Sequence, residues 1–208
     1  TGTANVDTIV TGAGTDTING SAGADAITVT GSTATLTIVD HAAVVITGFT
    51  AGNGAGADTV KIDMSEIETD AGGNADVDLV TAKSAGTSIA AGDTVVLGAV
   101  TTDFDMAAVT ANANILVLNT TTTAGAVDAA LETGGSSDLT ADGAIAAKDV
   151  MLVLSDDGTD SYLTHVEFGA VANDAKPGAN TLTATTLIKF AGVADCNNFH
   201  ADNFSFIA

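Results

Sequence analysis

The stretch that decides the fold is residues 2–37: GTANVDTIV (2–10), TGAGTDTIN (11–19), GSAGADAIT (20–28) and VTGSTATLT (29–37). Each unit is nine residues long. Asp7, Asp16 and Asp25 keep one phase, and Ile9, Ile18, Ile27 and Leu36 keep another. Gly14 and Gly23 keep a third, with Asn5 in the equivalent earlier slot. The fourth unit is degraded, because Ala34 stands where the phase asks for Asp. After a gap, NGAGADTVK (53–61) restarts the pattern and supplies Asp58 and Val60. A fixed short period is the mark of stacked supersecondary units.

The residue types say what each unit does. Gly reaches left-handed or strained backbone that other residues avoid. A Gly-x-Gly-x-Asp run therefore predicts a tight loop with carbonyls turned inward and a carboxylate at the same point. The short strand that follows carries one inward apolar residue, the Ile of the unit. Two units make one turn of a parallel β-roll, so loops of alternate units stack. Asp7 and Asp25 then share one edge, and Asp16 lies on the other. Calcium takes roughly six to eight oxygen ligands, which pairs of stacked loops supply. The candidate metal residues are Asp7, Asp16, Asp25 and Asp58, with Gly14 and Gly23 shaping the loops. A Gly/Asp-rich edge sheet with ordinary turns is the plain alternative.

These units resemble the RTX nonapeptide repeats of type I-secreted bacterial proteins, with the pattern G-G-x-G-x-D-x-apolar-x. The resemblance covers roughly residues 2–37 and 53–61. Thr11, Ser21 and Asn53 each occupy one Gly of a pair, and Ala34 removes a carboxylate. The resemblance implies calcium as cofactor, about one or two ions in this run, and an extracellular or cell-surface location. The tail adds to it: SDDGTDSYLTHVEF (155–168) and TLIKFAGVADCNNFHADNFSFIA (186–208) resemble the C-terminal ends of RTX-type and S-layer-like proteins. That likeness implies an uncleaved export signal and a true C-terminus at residue 208. A last strand pairing through Phe204 and Phe206 is an equal and compatible reading.

Composition points the same way. The 208 residues carry 26 acids against 5 basic residues, for a formal charge of −21. Every basic residue is Lys, and all but Glu66, Glu68, Glu132 and Glu167 of the acids are Asp. Asp is poor inside helices and good in turns and as a hard-cation ligand. Such a charge repels nucleic acid and anionic lipid. Bound cations compensate it; solubility in a salty medium is the other reading. No Trp, one Tyr, seven Phe and 23 Gly favour thin stacked strands over a bulky helical core. One cysteine, Cys196, excludes an internal disulfide. No signal peptide and no apolar run of about 18 residues is present, so membrane insertion is not expected. A start at Thr1 reads as part of a longer polypeptide.

Beyond the repeat, residues 43–49 (AVVITGF) read as a strand, residues 50–56 as a Gly-rich loop and residues 65–78 as an exposed acidic loop. A boundary near residue 64 divides a roll (1–63) from a C-terminal domain (64–208). Strand-length apolar runs recur there at 93–100, 114–118, 150–154, 161–168, 186–193 and 204–207. Gly134–Gly135, Asp156–Gly158 and Pro177–Gly178 are turn signals. The fold class is all-β: a short parallel β-roll followed by a β-sandwich-like domain with at most one or two short helices. One helix is expected over 124–133 after a Thr123 cap, stopped by Gly134. A short helical turn is expected within 141–149.

Catalytic constellations are missing: there is no G-x-S-x-G elbow, H-E-x-x-H helix or Walker loop. His41, His165 and His200 are far apart and read as ordinary residues. Cys196 and His200 have the spacing of a soft-metal pair on a helix but lack a second pair. Asp156, Asp157 and Asp160 share a turn around Gly158; Asp156 and Asp160 are further calcium candidates, against a solvated turn. Asp76/Asp78 and Asp103/Asp105 are weaker candidates. Thr28, Thr30, Thr35 and Thr37 suggest a Thr face.

Three functions follow as expectations. The first is a non-enzymatic, calcium-stabilised, self-assembling S-layer-like or filament subunit. It would be a homo-oligomer through strand edges, with cell-surface polysaccharide as a further partner. The second is a C-terminal export and calcium-folding module of a larger secreted enzyme or toxin. The third is an adhesin or ice-binding module.

Overall fold

The computed structural model describes residues 1–31, 33–38, 42–64, 80–81, 84–88, 92, 94–100, 103–106, 113–141 and 144–207. The acidic loop 65–78, His41, Asp76 and Asp78 lie outside the described residues.

Six short strands come from the repeat region: β1 (Thr8–Val10), β2 (Asp16–Asn19), β3 (Ala26–Thr28), β4 (Ala34–Ile38), β5 (Val44–Thr47) and β6 (Thr59–Asp63). Odd strands pair in parallel in one sheet and even strands in another, as a two-unit turn requires. The apolar phase sets the register. Ile9 lies opposite Ile27 and Ile27 opposite Ile46; Ile18 lies opposite Leu36 and Leu36 opposite Val60. The two rows belong to one buried core. Fully burying such a side chain stabilises by about 1.5–3 kcal/mol, so every added turn strengthens its neighbours.

The later strands are β7 (Val80–Thr81), β8 (Ser84–Ser88), β9 (Leu97–Val100), β10 (Phe104–Asp105), β11 (Ile115–Leu118), β12 (Leu139–Thr140), β13 (Val150–Asp156), β14 (Ser161–Phe168), β15 (Leu182–Ala191) and β16 (Phe204–Ile207). The sequence places a sandwich-like unit after residue 64; the observed pairing carries both roll sheets across that point. β15 adds in parallel to β5 and puts Phe190 opposite Ile46. β16 adds in parallel to β6 and puts Phe204 opposite Val60. Two phenylalanines thus take the places that a further turn of the repeat would give to its apolar residue. Phe49, Phe190, Phe199 and Phe204 pack together there, with ring centroids 4.7–6.5 Å apart. From β15 the first sheet continues antiparallel through β14 to β13, then parallel through β11 to β9. β7–β8 and β10–β12 form two separate two-stranded sheets.

β11 and β13 are buried along their whole length. Ile115 and Val117 join the roll core, while Leu116 and Leu118 join a second cluster with Met151, Val153, Val166 and Phe168. Burial on both faces is why ILVL and VMLVL read as unbroken apolar runs. The second cluster includes Val127, Ala130 and Leu131 of helix α1 (Val127–Leu131), which follows a 3-10 turn at Ala124–Ala126. The helix is shorter than the 124–133 expected. Thr123 precedes the 3-10 turn in extended backbone but makes no side-chain capping bond. Glu132 ends the helix and its Oε1 accepts from Thr181 N (2.7 Å) and Leu182 N (2.9 Å), pinning the start of β15. Over 141–149 the described residues form a bridge, Ile145 to Val171, and a turn, not a helix. Among the described residues no helix is long and apolar enough to cross a membrane.

Candidate metal centre

The first edge of the roll brings Asp7 and Asp25 together, 18 positions apart in sequence. Asp25 is fully buried and Asp7 half-buried. Asp25 Oδ1 accepts from the backbone N of Asp7 at 2.9 Å, tying one turn to the next. Asp7 Oδ2 accepts from Thr3 N and from Thr3 Oγ1 (3.0 Å). Asp25 Oδ2 is buried and has no hydrogen-bond partner among the described residues. Leaving such an atom unpaired costs about 1–3 kcal/mol, more when it is charged.

Glycines open the space around these oxygens. A Cβ at Gly20 would overlap Asp25 Oδ2. One at Gly2 would overlap the Gly20 carbonyl oxygen and stand 2.8 Å from Asp7 Oδ2. One at Gly23, where φ is +121°, would stand 2.7 Å from the Asn5 carbonyl oxygen. The Gly20 carbonyl and Asp7 Oδ2 therefore both border the space that a side chain at residue 2 would fill, and oxygen is the ligand a hard cation needs. Ser21 keeps the left-handed φ of +63° in a slot the pattern gives to Gly, and Ser21 N donates to Asn19 Oδ1 at 2.7 Å. Gly2 and Gly20 went unremarked in the sequence, although their 18-residue separation is the same as that of Asp7 and Asp25.

The second edge carries Asp16, with Ala34 beside it in register. Asp16 Oδ2 is also buried without a hydrogen-bond partner among the described residues, and Gly14 takes a φ of +120° in the same loop. Asp58 follows Ala34 on this edge but is already engaged. Its Oδ1 accepts from Ala34 N (2.6 Å) and its Oδ2 from Thr50 N (2.7 Å). Its own carbonyl accepts from Asn203 Nδ2 (2.8 Å). Asp58 holds backbone in the manner of Asp25 Oδ1, but leaves no oxygen unpaired.

Asn203 is the residue that sequence reasoning missed. It is fully buried. Its Oδ1 accepts from Gly52 N (2.9 Å) and His200 N (2.8 Å), so it clamps the C-terminal segment to the last repeat loop. An Asn ahead of a short apolar strand carries no periodic signal that would mark it.

The other candidates are held by protein donors. Asp156 accepts from Gly158 N (3.0 Å) and Cys196 N (3.2 Å). Asp160 accepts from Gly192 N (2.7 Å) and pairs with Lys189 at 2.7 Å. Asp157 accepts from Thr159 N, Asp160 N and Tyr162 Oη, the last at 2.6 Å. The turn's carboxylates are thus satisfied partly by its own backbone and partly by Gly192, Cys196 and Lys189 from later in the chain. Tyr162 and the backbone N–H groups of Asp160 and Thr159 hold Asp157 below the ordinary carboxylate range, and Lys189 and Gly192 do so for Asp160. Burial, and then the bond to Asp157, push Tyr162 up to about 12. Groups with depressed folded values stabilise above their unfolded value, near 3.8, and lose that stabilisation as pH falls through the folded values. Lys189→Met is expected to move the acid-unfolding midpoint to higher pH, read by tryptophan-independent far-UV dichroism between pH 2 and 6. An unchanged midpoint would overturn the assignment.

Asp156, Asp195 and Cys196 do gather ligand atoms within 4.8 Å. Burial raises the Cys196 thiol well above its ordinary value, and Cys196 Sγ donates to the Leu118 carbonyl at 3.3 Å. Cys196 and His200 do not share a helix: Cys196–Asn198 and Ala201–Asn203 are separate 3-10 turns, because each turn closes locally on Asp195 or Asn203. Asp103 lies 3.9 Å from Lys176. Thr28 lies in the first sheet and Thr35 and Thr37 in the second, so they do not form one face.

A parallel roll of stacked Gly/Asp loops has the build of a calcium-binding repeat module. Residues 1–31 match the family model described as the RTX calcium-binding nonapeptide repeat (4 copies). Calcium is the cofactor of such repeats. No curated protein and no solved structure matches the chain.

Proposed function

We propose that this chain is a non-enzymatic, calcium-stabilised structural subunit of a secreted bacterial surface assembly, of S-layer or filament type. The observation that carries the reading is the open edge of the roll. β1 is an edge strand of the first sheet and β2 of the second, and Val10 in β1 and Val6 just before it are exposed to 63% and 71%. Unpaired strand edges with apolar side chains are templates for pairing with another chain. Asp7, Asp25 and the Gly20 carbonyl would hold calcium on the first edge, and Asp16 on the second. Bound calcium neutralises carboxylates that otherwise repel across the stack. The −21 charge keeps copies apart until cations screen or bind it. Export by a type I route and contact with surface polysaccharide belong to the same proposal.

A second reading has its own support: β15 and β16 extend both sheets of the roll from the C-terminal half, which suits a C-terminal calcium-folding module of a larger secreted enzyme or toxin. Electron microscopy in millimolar calcium and again in excess chelator separates the two. Sheets or fibres that appear with calcium and dissolve without it are expected. A monomer in both conditions sinks the assembly reading and leaves the folding-module reading.

A further inference from the structure

We propose that Asn53 is a site of spontaneous backbone modification, at which the folded protein converts asparagine into isoaspartate and aspartate. The sequence holds two Asn-Gly pairs, Asn19–Gly20 and Asn53–Gly54. Glycine leaves the backbone nitrogen after Asn unhindered, so both are chemically competent, and the fold treats them in opposite ways.

Asn53–Gly54 stands at the tip of the last repeat loop, and both residues are exposed. Among the described residues no hydrogen bond engages the Asn53 side chain or the Gly54 N–H, while the Gly54 carbonyl accepts from Ala57 N at 3.2 Å. Gly52, Gly54 and Gly56 all take positive φ, and a Cβ at any of them would meet nothing within 4 Å. The loop therefore has room for the side chain to fold back on the chain. Asn19 is locked. It is in β2, opposite Thr37 of β4. Its Oδ1 accepts from Ser21 N (2.7 Å) and its carbonyl from Gly2 N (2.8 Å). Gly20 is buried against Asp25 Oδ2.

The chemistry needs only water. The Gly54 nitrogen, on losing its proton to hydroxide, attacks Asn53 Cγ. The bond from Cγ to the side-chain nitrogen breaks, and ammonia leaves with a proton from solvent. The resulting five-membered imide is opened by one water. Opening at one carbonyl gives aspartate; opening at the other gives isoaspartate, with one more methylene in the backbone. Either product adds one negative charge to an acidic edge. The site is one residue from Gly52, whose N–H holds Asn203, so the altered backbone borders the clamp on the C-terminal segment.

The test is ageing of the full chain in calcium at mildly alkaline pH, with a parallel sample in denaturant. Peptide mass mapping follows the gain of about one dalton at each Asn, and an isoaspartyl methyltransferase assay confirms the product. A locked amide reacts only through local opening, so Asn53 is expected to convert at least about tenfold faster than Asn19 in the folded protein. In denaturant the two rates should be comparable. Equal folded rates overturn the proposal, as does an Asn53 that converts in denaturant but not in the fold.

Discussion

Asp25→Ala is expected to remove the first edge's share of the calcium dependence of the roll. The substitution takes away a buried carboxylate, leaves Asp7 N without its acceptor and removes the unpaired Oδ2. The lost acceptor alone costs about 1–3 kcal/mol. Calcium at a hundred times its dissociation constant adds about 2.7 kcal/mol of stability to a folded state that alone binds it, and this is lost as well. Urea unfolding in calcium and in chelator reads both terms. The wild-type midpoints should differ widely, and the Asp25→Ala midpoints should lie much closer together, separated only by what the Asp16 edge contributes. Asp58→Asn is the control, because both Asp58 oxygens already accept backbone N–H bonds. It should lower both midpoints together and keep their separation. A calcium response that survives Asp25→Ala intact would remove this edge as the metal centre.

Asn203→Leu is expected to be the most damaging single change in the C-terminal half. Leucine nearly fills the volume but offers no polar atom. Gly52 N, His200 N and the Asp58 carbonyl all lose their partner at a position with no solvent access. At about 1–3 kcal/mol for each stranded group, the loss should be about 3 kcal/mol or more. It should appear in excess calcium, because the clamp is not at the Asp7–Asp25 edge. Amide hydrogen exchange should show residues 204–207 losing protection first, since among the described residues β16 is an edge strand that pairs with β6. A loss under about 1 kcal/mol, the scale of one ordinary hydrogen bond, would show that water replaces the clamp.

Much of the roll is legible in the sequence because its signals are local and periodic. The nine-residue phase of Ile9, Ile18 and Ile27 gives the alternation of sheets, and the phase of Asp7, Asp16 and Asp25 gives the two edges. β14 spans Ser161–Phe168, the span its apolar pattern suggests. The metal candidates divide less cleanly. An Asp in the right phase looks the same whether its oxygens meet backbone N–H groups, as at Asp58, or stay unpaired, as at Asp16 and Asp25. Asp156 and Asp160 look like a calcium loop until Cys196 N, Gly192 N and Lys189 arrive from elsewhere in the chain.

By itself, then, the sequence determined a parallel roll of Gly/Asp loops, its apolar rows and its calcium chemistry, because each depends on residues within one or two repeat lengths. Only the tertiary structure decided which strands extend the roll at its far end. Phe190 and Phe204 enter the rows of Ile46 and Val60 from more than a hundred residues away. No periodicity links such positions; burial of apolar surface and pairing of strand edges select them once the chain has folded.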